Sequence, residues 1–134
     1  MSDYLFSYGT LRPGMAPRQI APTVNKLISI GEGFVRGTLY DLGRYPGALL
    51  DPNSDRKIFG TMYLLPDDPA ILRKLDEYEG FDPSAPESSL FVRNLSNAIL
   101  DDGRTLPCWI YEFNGSPDSS QVLAKGEYKP KRNA

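Results

Sequence analysis

The sequence predicts an α+β fold, a small closed or nearly closed sheet flanked by helices. Three observations lead there. Twelve glycines and twelve prolines punctuate 134 residues, the rhythm of short strands and tight turns rather than of a helical bundle. About six apolar or alternating runs lie between those breaks and read as strands. One segment only carries clear start and stop signals of a helix. The length fits a single domain over 1–134, large enough to bury one core, with 114–134 as a C-terminal extension.

The elements follow in order. Residues 4–8, Tyr-Leu-Phe-Ser-Tyr, form the first strand, and the glycine-bounded stretch 9–14 turns the chain. A weak helix is expected near 19–26. A second β region runs over 27–42, where Gly31, Gly33 and Gly37 permit bulges or close approach of another backbone. Tyr45-Pro46-Gly47 reads as a turn into Ala48-Leu49-Leu50, and 57–65 as a buried strand. The helix is placed at 69–79: Asp67 or Asp68 is a suitable N-cap, Pro69 fits the first turn, and Gly80 closes the far end in a left-handed conformation. A polar loop over 82–89 leads into strands at 90–95 and 104–113, with Asp101-Asp102-Gly103 as a hairpin turn. A last short helix is expected near 119–125.

Composition removes whole chemistries. The chain has no histidine and one cysteine, which excludes Ser-His-Asp and Cys-His machinery, imidazole zinc sites, an internal disulfide and a thiolate metal cage. Proton transfer must fall to Asp, Glu, Lys, Tyr or the substrate. A net charge of −2 supplies no field for phosphate backbones, so no nucleic acid is expected as a partner. No apolar run approaches the ~18 residues of a membrane span, and Met1-Ser2-Asp3 lacks the opening of a secretory signal. The expected location is cytoplasmic, with no membrane partner. The basic end, Lys129-Pro130-Lys131-Arg132, reads as a solvated terminus or an interaction tail.

Two features point to a site. At about 100° per residue, Ile71, Leu72 and Leu75 form an apolar stripe that also contains Glu79, with Asp76 at its edge and Glu77 on the solvent side. Burial and the negative end of the helix dipole both disfavour an ionised Glu79, so its pKa should rise, as a proton carrier at neutral pH requires. The competing reading is a solvated residue in a frayed last turn. The second feature is Tyr8-Gly9-Thr10-Leu11, directly after a strand, where glycine lets successive backbone N–H groups converge on a carboxylate or phosphate. It matches neither the Walker nor the dinucleotide fingerprint, and strand-Gly-Thr turns also occur as purely structural corners.

Together, Phe6-Ser7-Tyr8-Gly9-Thr10-Leu11 and Leu75-Asp76-Glu77-Tyr78-Glu79-Gly80-Phe81 resemble the gamma-glutamylcyclotransferase-like family. The segments Gly37 to Ala48 and Gly60-Thr61-Met62-Tyr63 are similar to its middle section, so the likeness runs in order over about 4–113. The resemblance implies a small mixed β-barrel with a few flanking helices and a reaction without metal or cofactor. In such enzymes the α-amino group of a γ-glutamyl compound attacks its own γ-carbonyl, giving 5-oxoproline and a released amine or amino acid. It also implies roles: Glu79 as general acid/base, and the turn of Tyr8, Gly9, Thr10 and Leu11 as the binder of the γ-glutamyl moiety. The partner would be a small-molecule γ-glutamyl substrate, and the protein a monomer or weak homo-oligomer.

The chain departs from the family in two places. Many members carry Tyr followed two residues later by Arg, where this sequence has Phe91-Val92-Arg93. Phe91 thus stands at a substrate-contacting position without a hydroxyl, for which Tyr111 or Tyr128 are the available replacements. The segment after Phe113 is shorter than in mammalian-type enzymes. A non-catalytic domain binding a carboxylate ligand is the alternative function. Tyr45, with Arg44, Pro46 and Gly47, either lines the mouth of a pocket or forms an ordinary turn. Cys108 reads as a buried inert thiol, and Trp109, Tyr111 and Phe113 as one face of a strand in the core or barrel wall.

Overall fold

The computed structural model describes residues 3–12 and 14–129. The elements are β1 (Tyr4–Ser7), α1 (Ala21–Val24), β2 (Ile28–Asp41), β3 (Pro46–Leu50), β4 (Lys57–Leu64), α2 (Pro69–Glu79), β5 (Phe91–Leu100) and β6 (Thr105–Phe113), with short 3₁₀ turns at Pro86–Ser88 and Ser119–Gln121. Strand β1 pairs antiparallel with β4, β4 with β2, and β2 with β3. Both β3 and β1 pair in parallel with β6, which closes five strands into a mixed barrel. Strand β5 is the extra one. It runs antiparallel to β6 from Phe91 opposite Phe113 to Ile99 opposite Thr105, and meets β2 at Gly33 and Phe34.

Strand alternation sorts the apolar side chains into two layers. Phe6, Val35, Leu39, Ile58, Met62, Cys108 and Ile110 fill the barrel interior. Leu5, Tyr63, Phe91 and Tyr111 point outward, where Ile71 and Leu75 of α2 and Ile20, Val24 and Leu27 around α1 cover them. Close crossings fall at glycines of β2. A Cβ at Gly33 would lie 2.5 Å from the Ile99 carbonyl oxygen, and one at Gly37 2.3 Å from that of Leu49. Among the described residues, no helix is long and apolar enough to cross a membrane.

Helix α2 spans the predicted residues. Asp68 accepts the Ala70 N–H at 2.9 Å, and Gly80 (φ 71°) closes the other end while the Phe81 N–H returns to the Asp76 carbonyl. Four expectations change. Pro46 and Gly47 belong to β3, and the turn falls earlier, where the Leu42 N–H reaches the Tyr45 carbonyl. Strand β5 continues past Leu95 to Leu100, because Ser96 and Asn97 pair with Cys108 and Pro107 although their polarity reads as loop. The helix expected over 19–26 contracts to the single turn α1, which has no side-chain cap. The one near 119–125 gives way to a 3₁₀ turn and a bridge, since Val122 pairs with Tyr40 and the Leu123 N–H with the Leu39 carbonyl. Pro13 of the first turn and the basic residues Lys131 and Arg132, with Pro130, lie outside the described residues.

Candidate active site

The site forms where the end of β1 meets the end of α2. Ile71 and Leu75, each fully buried, fix the rotation of α2 on the barrel wall, and that phase carries Glu79 into a cavity of about 250 Å³. Tyr8, Gly9, Thr10, Leu11, Tyr45, Phe91 and Glu79 all line this cavity. None of its lining residues is Lys or Arg, so Glu79 is the group there that carries charge near neutrality. Burial pushes its carboxyl from the ordinary 4.5 up to about 7. Among the described residues, no donor reaches that carboxyl, nor do the Gly9, Thr10 and Leu11 N–H groups find an acceptor within the protein. The turn thus offers unspent donors and the helix an unpartnered acid, both lining one space.

The walls are fixed by their own contacts. The Tyr8 ring packs in the barrel interior, and its hydroxyl accepts the Ala48 N–H at 3.2 Å while donating to the Tyr111 carbonyl. Tyr8 therefore offers the cavity its backbone and ring, with the hydroxyl committed to the fold. Thr10 of the turn and Tyr78 of α2 line the same cavity. Phe91 stands edge-on between Tyr45 and Phe113, each 5.7 Å away between ring centres. Of the two tyrosines considered as replacements for the missing hydroxyl, Tyr111 lines the cavity and Tyr128 packs against the interior cluster instead. Cys108 is fully buried, its thiol pushed up to about 12 by burial. Among the described residues, no three His, Cys, Asp or Glu side chains gather into a metal-binding group.

The sequence matches, over residues 5–130, the family described as Gamma-glutamyl cyclotransferase, AIG2-like. The chain belongs to this family. Similar solved structures include an aig2-like protein from Mus musculus (TM-score 0.71, 20% identity, covering 95% of this chain and 88% of that one). YkqA from Bacillus subtilis is similar at TM-score 0.69 and 21% identity over 96% of this chain, which spans only 40% of the length of YkqA. A structure described as Gamma-glutamyl cyclotransferase matches at TM-score 0.58 and 14% identity, covering 82% of this chain and 65% of that one. At such identities these likenesses establish the fold. No curated protein matches the sequence.

Behind the cavity of this family member lies a group that the pattern of the sequence only half discloses. Asp76, expected at the edge of the apolar stripe, is 5% exposed. Its carboxylate accepts from Arg93 Nε at 2.8 Å and Nη2 at 3.3 Å, and from the Tyr111 hydroxyl at 2.7 Å. The Arg93 guanidinium lies 4.3 Å from the centre of the Trp109 ring. Arg93 stands directly opposite Tyr111 in the β5–β6 ladder, which puts both side chains on the outer face that α2 covers. Sequence reading also passed over Tyr78 and Leu90 as cavity residues. Tyr78 carried a signal, being the neighbour of Glu79 on the same helix end; Leu90 carried none, since its place follows from its N–H bonding to the Gly80 carbonyl.

Proposed function

We propose that the protein catalyses the cofactor-free cyclisation of a γ-glutamyl compound to 5-oxoproline, releasing an amine or amino acid. The observation that carries this reading is that Glu79 and the unspent N–H groups of Gly9, Thr10 and Leu11 belong to residues lining one cavity. The turn holds the γ-glutamyl moiety. Glu79, ionised, takes a proton from the α-ammonium; the freed amine nitrogen attacks the γ-carbonyl carbon; the C–N bond to the leaving group breaks as Glu79 returns that proton to the departing nitrogen; and the second proton, which the ring nitrogen sheds on becoming the lactam N–H, goes to the released amine, which leaves as an ammonium. The nucleophile is part of the substrate and already tethered, so the protein supplies orientation and one proton shuttle. A carboxyl with a pKa of about 7 can both accept and donate near neutrality.

Incubation with a panel of γ-glutamyl amines, dipeptides and tripeptides, followed by assay for 5-oxoproline, tests the proposal. Turnover is expected for at least one member, with kcat/KM rising as pH passes through about 7, because the ionised form is the base. Glu79→Gln should lower kcat by about 10²–10⁴-fold. Full activity in that variant would sink the mechanism. Saturable binding with no lactam from any member would favour the carboxylate-binding domain instead.

A further inference from the structure

Three tyrosine hydroxyls stand close enough to feel the charge of Glu79, those of Tyr8, Tyr78 and Tyr111. Each is a potential hydrogen-bond donor to its carboxyl, yet the two buried ones, Tyr8 and Tyr111, are engaged elsewhere. Tyr8 donates to the Tyr111 carbonyl and Tyr111 donates to Asp76. The last arrangement buries a carboxylate and a guanidinium next to the cavity, with side chains only 7% and 16% exposed. A buried ion pair contributes little net stability compared with apolar side chains of the same size, so its position asks for another reason.

We propose that Asp76 and Arg93 are positioning residues for the site, holding the Tyr111 hydroxyl away from Glu79 so that the substrate ammonium meets a carboxyl with no protein donor. This assignment rests on the proposed role of Glu79. The pair also balances charge. Asp76 precedes Glu79 by three residues on α2, one helical turn away on the same side, and Arg93 reaches the same point from β5. Tyr111 feels both charges with opposite sign. The ionisable groups that share the cavity with Glu79 are Tyr8 after β1, Tyr45 before β3, Tyr78 from α2 and Tyr111 from β6; Asp76 and Arg93 stand one contact further back, on the Tyr111 hydroxyl, and Glu112 of β6 acts on Tyr8. Neutralising Asp76 leaves an unpaired cation and weakens the hold on the Tyr111 hydroxyl, both favouring ionised Glu79. Deleting Arg93 leaves an unpaired anion, which disfavours it.

The experiment is a ¹³C NMR titration of the Glu79 carboxyl in glutamate-labelled protein, its signal assigned by its absence in Glu79→Gln. The pH profile of kcat/KM is followed in parallel. Asp76→Asn should lower the midpoint by about one pH unit and Arg93→Gln should raise it by about one. Arg93→Lys, which keeps the charge but not the two-point contact, should raise it less than Arg93→Gln does. Unmoved midpoints, or shifts of the same sign in the two single variants, would overturn the assignment. Should Arg93→Gln not fold, Asp76→Asn is combined with Arg93→Lys and with Arg93→Gln, which differ by one charge beside a neutral partner. The lysine combination must titrate lower; equal midpoints overturn the proposal. The NMR midpoint needs no turnover, so an active Glu79→Gln variant would reject the functional reading alone, and a missing sign reversal the positioning role alone.

Discussion

At the scale of the residue, Glu79 embodies a conflict between folding and chemistry. The apolar phase of α2 places a carboxyl where water is scarce, and the folded chain raises its pKa from 4.5 to about 7. A carboxyl whose pKa is raised on folding adds stability while protonated in both states. That contribution is intact below about pH 4.5 and disappears as pH climbs through about 7. Two and a half units correspond to roughly 3 kcal/mol. Glu79→Gln cannot ionise and escapes this loss. Its unfolding free energy should exceed that of the parent by up to roughly 3 kcal/mol at pH 8 and equal it at pH 4, as urea denaturation at the two pH values would measure. A variant less stable than the parent at pH 8 would mean that the carboxylate is solvated.

At the scale of the element, α2 acts as the arm that delivers Glu79, and its two caps separate stability from placement. Asp68 caps the end remote from the cavity, and Gly80 the end beside it. Asp68→Ala should cost about 1 kcal/mol through the lost Ala70 hydrogen bond. Gly80→Ala should cost about 1 kcal/mol or more, because the residue sits at φ 71° and a Cβ there would come within 3.3 Å of Leu90 Cβ. Thermal melts should thus shift in both variants. Steady-state assays should find kcat/KM reduced only in Gly80→Ala, since only that change disturbs the turn next to Glu79 and the Leu90 rim. Equal losses of activity would show that the helix transmits strain along its whole length.

At the scale of the molecule, closure of the barrel is what brings the turn after β1 to the end of α2. The seam is slender. Parallel pairing to β6 is represented by Leu5 opposite Trp109 on one side and Ala48 opposite Glu112 on the other. Side chains reinforce it: the Tyr8 hydroxyl bridges the Ala48 N–H and the Tyr111 carbonyl, while the Glu112 carboxylate accepts from the Leu50 N–H at 2.7 Å and from Asn94 Nδ2 at 2.8 Å. Tyr8→Phe removes the bridge and leaves a buried donor and acceptor unpaired, a loss of about 1–3 kcal/mol each way of counting it. Denaturant unfolding should register that loss, and amide exchange at Ala48 should accelerate more than exchange within the β2–β4 ladder. Uniform acceleration would mean that the seam opens only with global unfolding.

Local chemistry made much of this protein legible from its sequence. Asp68, Pro69 and Gly80 mark the ends of α2 because caps act within a few residues, and the stripe of Ile71, Leu72 and Leu75 fixes the phase of Glu79 because a helix repeats every 3.6 residues. The strands read correctly wherever apolar alternation was strong. They were misjudged at Ser96 and Asn97, whose extended backbone is set by partners on β6, and at Pro46 and Gly47, where pairing with Asp41 and Tyr40 on β2 takes over residues that favour turns. The last short helix gave way because the Leu39 carbonyl claimed the Leu123 N–H and Val122 bridged to Tyr40, while the first, without a side-chain cap, kept a single turn. Tertiary structure alone decided that Tyr8 spends its hydroxyl on the seam, that Arg93 neutralises Asp76, and that Leu90 lines the cavity. Each depends on contacts between segments far apart in the chain, and such contacts exist only once the barrel has closed.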